Sequence, residues 1–155
     1  MPTSLWRLVK ARHVSTALDG EGARRYGGRW NRRGTAVVYL GGTLSLAALE
    51  VFVHLTAADA RLSFSAIEIV VPDGINVAEL EPSRLPDNWR AEPPPDETKG
   101  IGTDWVGRGD TVLLRVPSVI VPRESNYLLN PAHADFRRLT IGAPQPFGFD
   151  ERMWK

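Results

Sequence analysis

Two stretches of this chain hold residue types that could do chemistry, and they lie close together between Gly27 and Leu55. The first, GGRWNRRG (27–34), sets Arg29 among glycines. A guanidinium fork suits a pyrophosphate, and glycines let backbone N–H groups approach one closely. The second, LSLAALEVFVHL (44–55), is apolar except for Ser45, Glu50 and His54. A carboxylate in such a segment is costly unless it is paired or faces a cleft. Glu50 therefore reads in two ways. It can pair with His54, four residues on and on the same helical face. Or it can sit beside a sugar, holding a hydroxyl and stabilising positive charge at the anomeric carbon. Arg29 can likewise grip an anion or be solvated with Arg24, Arg25, Arg32 and Arg33. Tyr39 can stack on a base or fill the core.

Other chemistries are absent or weak. There are no cysteines, so disulfides, thiol catalysis and cysteine-bound metals are excluded. His13, His54 and His133 are widely spaced, without metal-ligand patterns, and no metal site is expected. Gly100-Ile101-Gly102 begins like a dinucleotide fingerprint, but Trp105 occupies the third glycine position and no clear strand precedes it. No phosphate-loop motif occurs. Ser118, His133 and Asp150 could be imagined as a hydrolase triad, but no nucleophile elbow surrounds Ser118.

The elements that must position these residues follow from periodicity. Leu5–Val9 alternates as a short strand, with Arg7 pointing opposite to Trp6. Residues 10–35 form a long glycine-punctuated connection with one helical turn near Gly22–Tyr26, tied to the core by Trp30, an indole that folding tends to bury. Ala36–Leu40 is an interior strand. Thr43 or Ser45 caps a buried helix reaching about Ala58, apolar on every side. Leu62–Val71 and Ile75–Leu80 are strands, and 81–97 is a Pro-rich surface loop anchored by Trp89. Thr98–Arg108 holds a short helix. Thr111–Val116, Ser118–Val121, Tyr127–Asn130, Arg137–Ile141 and Phe147–Phe149 are short strands. The expectation is one α+β domain over residues 1–155.

The charge balance is uneven. Residues 1–33 carry eight Lys/Arg against Asp19 and Glu21, a balance of +6 in a chain of net +1. A basic segment on an acidic body suits a local anionic ligand or a nucleic-acid arm. The latter would act as a regulator, but no recognition-helix pattern supports it. No secretory leader or membrane-length apolar run is evident, so a cytoplasmic location is expected.

Several pieces together resemble the RES-domain toxins of bacterial RES–Xre toxin–antitoxin modules. They are Trp6-Arg7, EGARRYGGRWN (21–31), VVYL (37–40), the Leu46–Glu50 helix, IGTDW (101–105), LRVPSVIVP (114–122), NYLLNPAH (126–133) and PFGFDERM (146–153). The resemblance covers nearly the whole chain. It implies a fold similar to ADP-ribosyltransferases, with short mixed strands and a few helices around a cleft for NAD. It also implies NAD depletion with growth arrest, and an Xre-type helix-turn-helix antitoxin that covers the site and itself contacts the operator DNA.

The arginine, glutamate and serine of the family's name map to Arg29, Glu50 and Ser118, with Arg7, Tyr39 and Asn130 as further cleft residues. On this resemblance Arg7 and Arg29 hold the diphosphate or nicotinamide ribose, and Tyr39 positions the nicotinamide. Glu50 stabilises an oxocarbenium-like transition state, and Ser118 orients Glu50 or an arginine. NAD is then the substrate, attacked by water or phosphate, with no prosthetic group. Arginine-modifying ADP-ribosyltransferases carry a second glutamate two residues before the catalytic one. Here that position is Ala48, which favours small acceptors, although a protein acceptor stays open.

Overall fold

The computed structural model describes residues 1–154. The apolar alternation at the start of the chain folds as strand β1 (Thr3–Lys10), which buries Leu5, Leu8 and Val9. On one side β1 pairs antiparallel along its full length with β3 (Phe64–Val71), from Thr3↔Val71 to Lys10↔Phe64. On its other side it meets β2 (Val38–Gly41) at a single register pair, Trp6↔Gly41. Beyond β2 lie β6 (Ser125–Leu129), β5 (Leu113–Pro117) and β4 (Val77–Glu79), with only β4–β5 parallel. At the opposite edge β3 pairs with β7 (Thr140–Ile141) and β8 (Gln145–Phe147). The result is one eight-stranded, largely antiparallel sheet with a few helices against it, the α+β class expected.

Three apolar clusters surround this sheet. Leu5, Val38, Leu40, Ile67, Ile69 and Leu129 fill its centre. Leu8, Ala47, Ala48, Phe64 and Phe149 join it to helix α2 (Leu44–Phe52), with Phe149 set edge-on to Phe64 and Phe147. Trp30, Trp105, Leu114, Val116 and Leu128 form the third, beneath helix α4 (Asp96–Arg108). The long segment before β2 is folded, with a 3-10 helix at Ala11–Thr16 and the short helix α1 (Glu21–Tyr26). Trp30 is buried as expected, and Trp89 leans on it with ring centroids 6.5 Å apart.

Four expectations are corrected. Helix α2 stops at Phe52 instead of about Ala58, because Thr56 starts a separate turn, α3 (Ala57–Ala60), by accepting from Asp59 N–H at 3.1 Å. Nor is α2 buried all round: Leu46, Ala47 and Ala48 face the core, while Val53, just past its end, is 55% exposed. Ser118–Val121 is a turn and not a strand. The Ser118 hydroxyl accepts from Ile120 and Val121 N–H at 3.1 and 3.0 Å, a local bond that replaces ladder pairing. Arg137 and Arg138 belong to a 3-10 turn, Ala134–Arg138, ahead of the two-residue β7.

The glycines of α4 separate packing from propensity. A Cβ on Gly102 would stand 1.9 Å from the Trp30 carbonyl oxygen, so this helix touches the arginine loop only because the position is glycine. Gly107, in the same helix, has nothing within 4 Å of its missing Cβ. Gly102→Ala is expected to lower stability by about 1–3 kcal/mol or more through overpacking against backbone. Gly107→Ala is expected to raise it by about 0.5–1 kcal/mol. Urea denaturation of the two variants checks the contrast.

Candidate active site

Glu50 is placed by the way α2 is held. Thr43 caps the helix, its hydroxyl accepting from Leu46 N–H at 3.1 Å, and Ala47 and Ala48 seat it on the sheet. Glu50 and Val51 then line a cleft of about 940 Å³, within the range of small-molecule sites. The Glu50 carboxylate is fixed through one oxygen. Its Oε1 accepts from Ser118 Oγ at 2.6 Å and from Asn126 Nδ2 at 2.7 Å. Oε2 has no partner among the described residues and is not sealed from solvent. Ser118 is fully buried, donates its hydroxyl hydrogen bond to Glu50, and accepts from two backbone N–H groups. That leaves it no free lone pair, so its geometry is that of a positioning group, not a nucleophile.

Arg7 stands where the β1–β2 ladder is one pair long. Its Nη1 donates to Tyr39 O of β2 at 3.3 Å, one bond across the gap, and its Nε to Ala17 O in the connection preceding β2 at 3.0 Å. Burial pushes its guanidinium below the ordinary value and Asp19 opposes this; an arginine stays charged under such a shift. Arg29 lies on another wall of the cleft. Its Nη1 donates to Trp89 O at 2.9 Å and Ala91 O at 2.8 Å, and its Nη2 pairs with Glu92 Oε2 at 2.8 Å.

Tyr39 lines the same cleft with its hydroxyl committed elsewhere. It donates to Asn31 Oδ1 at 2.6 Å and accepts from Trp30 N–H at 3.0 Å. Gly28 permits this, since a Cβ there would lie 2.6 Å from the phenol oxygen. Burial pushes the phenol above its ordinary value, so Tyr39 offers a neutral ring and no acid–base group.

Arg7, Arg29, Tyr39 and Glu50 thus share one cleft, and Ser118 reaches it through Glu50. Asn130 does not. It is buried behind β6, where its Oδ1 accepts from Ala132 N–H at 3.0 Å and turns the chain. The pairing of Glu50 with His54 is not formed either. His54 lies beyond the end of α2 and lines the cleft mouth.

Two asparagines escaped the sequence reading. Asn126, four residues before Asn130 in the same NYLLN stretch, is the one that touches Glu50. Its signal would have been strand register, because Asn126 pairs with Gly41 and Val116 and so falls beside both α2 and Ser118. Asn31 is fully buried. Its Nδ2 reaches Ala23, Arg32 and Thr35 carbonyls at 2.9–3.2 Å and closes the arginine loop. Among the described residues no group of three or more His, Asp or Glu could hold a metal ion.

A carboxylate with one open oxygen, two guanidinium groups and a neutral aromatic ring around one cleft suit an anionic ligand that carries a sugar and a planar ring. Comparison with known proteins bears on the same region. Residues 4–150 match the sequence model of the family described as RES domain. "Toxin Res" of Yersinia enterocolitica is 41% identical over 150 residues, covering 96% of this chain and 98% of that one. "Prs ADP-ribosylating toxin" of a Sphingobium species is 40% identical over 158 residues, covering 99% and 98%. In fold, the toxin–antitoxin complex MbcT–MbcA of M. tuberculosis contains a chain similar at a TM-score of 0.76 and 20% identity, covering 96% of this chain and 85% of that one. At that identity the likeness is one of fold alone.

The Tyr39 contacts carry a pH dependence. Above pH 10.0, the ordinary phenol value, an unfolded tyrosine ionises while the buried Tyr39 resists, so stability falls as pH rises through that point. Tyr39→Phe is expected to lose that part of the alkaline slope. At neutral pH it is expected to be less stable by about 1–3 kcal/mol, because Asn31 Oδ1 and Trp30 N–H lose their partner. Denaturant titrations of both proteins between pH 7 and pH 11 measure both effects.

Proposed function

The chain belongs to the RES-domain family, and from that premise we propose that it is the toxin of a toxin–antitoxin pair and that it breaks the nicotinamide–ribose bond of NAD. The observation that carries this reading is the Glu50 carboxylate. Its Oε1 is held by Ser118 and Asn126 while Oε2 opens to a cleft that also holds Arg7 and Arg29. A carboxylate fixed before substrate arrives can stabilise positive charge developing on ribose without having to reorganise.

In this reading the diphosphate lies between the two guanidinium groups and the nicotinamide ring lies against Tyr39. As the glycosidic bond lengthens, the bonding pair leaves with nicotinamide and C1′ of the ribose becomes oxocarbenium-like. Glu50 Oε2 faces that charge and holds a ribose hydroxyl. Ser118 and Asn126 keep the carboxylate from rotating away. Water, losing a proton to solvent, or inorganic phosphate then adds at that ribose carbon, giving ADP-ribose or its 1″-phosphate. The partner is an Xre-type antitoxin covering the cleft, and the setting is the cytoplasm. None of the helices among the described residues is long and apolar enough to cross a membrane.

A second reading, transfer of ADP-ribose to a protein, is favoured by the name of the Sphingobium relative, an ADP-ribosylating toxin. Against arginine as the acceptor stands Ala48, a buried core residue where a second cleft carboxylate would be needed. Nucleic-acid binding by the basic N-terminal run gains little support. Arg24, Arg29 and Arg32 are paired within the chain with Glu21, Glu92 and Asp96.

Purified protein is expected to consume NAD, and Glu50→Ala to lower that rate by about 10²–10³. Near-full activity in Glu50→Ala would sink the assignment. Product masses with and without phosphate distinguish hydrolysis from phosphorolysis. A labelled protein band from lysate and labelled NAD would instead support transfer.

A further inference from the structure

Arg29 is the cleft arginine whose charge is already answered. Of its five N–H donors, both on Nη1 go to the backbone carbonyls of Trp89 and Ala91, and one on Nη2 goes to Glu92 Oε2. These partners differ in kind. The carbonyls belong to a fastened segment: Trp89 packs on Trp30, and Arg90 Nη2 donates to Val119 O at 2.9 Å. They set the plane of the guanidinium and carry no net charge. Glu92 is the charged partner, and its side chain is 71% exposed while that of Arg29 is 13% exposed. A carboxylate on a side chain so exposed can swing into solvent without disturbing the carbonyl contacts. Glu92 itself lines the cleft.

We infer that Glu92 occupies on Arg29 the position that the phosphate oxygens of an anionic ligand must take, and so sets the affinity of the cleft for diphosphates. This rests on the reading of the substrate as NAD. With Glu92 in place, the Nε–H and one Nη2–H of Arg29 remain for a ligand, and any phosphate bound there faces a neighbouring carboxylate. Once Glu92 swings out, a second Nη2–H and the full charge become available. An anionic ligand therefore displaces Glu92, whereas an uncharged one does not need to. The cost is a specificity device: it penalises loosely held anions, and the penalty is overcome by ligands that also engage Arg7 and Glu50.

The test uses the full chain at low ionic strength, where charge effects are least screened. Inorganic pyrophosphate and nicotinamide serve as probes in calorimetry with the unaltered protein, Glu92→Gln, Glu92→Ala and the control Glu79→Gln. Glu79 pairs with Arg115 on β4 and is not among the cleft-lining residues, so its change removes the same charge elsewhere. Both Glu92 variants are expected to bind pyrophosphate about three- to tenfold more tightly, with nicotinamide affinity unchanged. Their KM for NAD is expected to fall in parallel, and Glu79→Gln to match the unaltered protein. Unchanged or weaker pyrophosphate binding in Glu92→Gln overturns the inference, as does no measurable binding by any of the four, or an equal gain in Glu79→Gln. An unaltered protein that leaves NAD intact overturns the functional reading, whereas pyrophosphate binding tests Glu92 independently.

Discussion

The site depends on one carboxylate oxygen. Glu50 Oε1 receives Ser118 Oγ from the turn after β5 and Asn126 Nδ2 from β6, which fastens α2 to a hairpin nearly 70 residues further along the chain. Two donors on one oxygen fix the carboxylate plane and leave the second oxygen to a ligand. The arrangement has a cost. Asn126 Oδ1 is sealed without a partner, and such an atom typically costs about 1–3 kcal/mol. Its amide is turned so that Nδ2, not Oδ1, meets the carboxylate. A protein that tolerates this orphan acceptor is placing the Glu50 carboxylate at the expense of local stability, as functional sites commonly do.

The opposite wall is organised by a different logic. Asn31 closes the arginine loop through three carbonyls and accepts the Tyr39 hydroxyl, while Trp30 anchors the loop beneath α4. Gly28 and Gly102 make the close approaches possible, one beside the phenol and one beside the Trp30 carbonyl. The glycines of the loop thus serve contacts within the protein at least as much as the approach of a ligand. Arg7 joins the two walls where pairing between β1 and β2 lapses. A side chain that supplies a hydrogen bond to β2 where the ladder lapses also brings a charge into the cleft.

Much of this was legible in the sequence because the signals were local. Apolar alternation located β1 and β3, a hydroxyl cap at Thr43 or Ser45 located α2, and indoles at Trp30 and Trp89 marked where polar loops are tied down. The misplacements have local causes too. The Ser118 hydroxyl competes with strand pairing, so a run with strand composition becomes a turn. Thr56 begins a new helical turn where apolar periodicity promised continuation. Asn130 was carried over from the resemblance, whereas Asn126, four residues earlier, is the one that touches Glu50. Both are polar residues in an apolar stretch, and only the β2–β6 and β5–β6 registers reveal which of them lies beside α2.

The sequence by itself determined the chemical types of the cleft-lining residues, the class of fold and the family, because each rests on local patterns or on motifs in a fixed order. The tertiary structure decided which atoms meet. It showed that Ser118 and Asn126 share one oxygen of Glu50, that the Tyr39 hydroxyl is committed to Asn31, and that Arg29 is already paired with Glu92. Those contacts join residues up to 76 positions apart. The physical reason is that a hydrogen bond depends on position to within a few tenths of an ångström, and over such separations position is set by sheet register and helix packing, not by spacing along the chain.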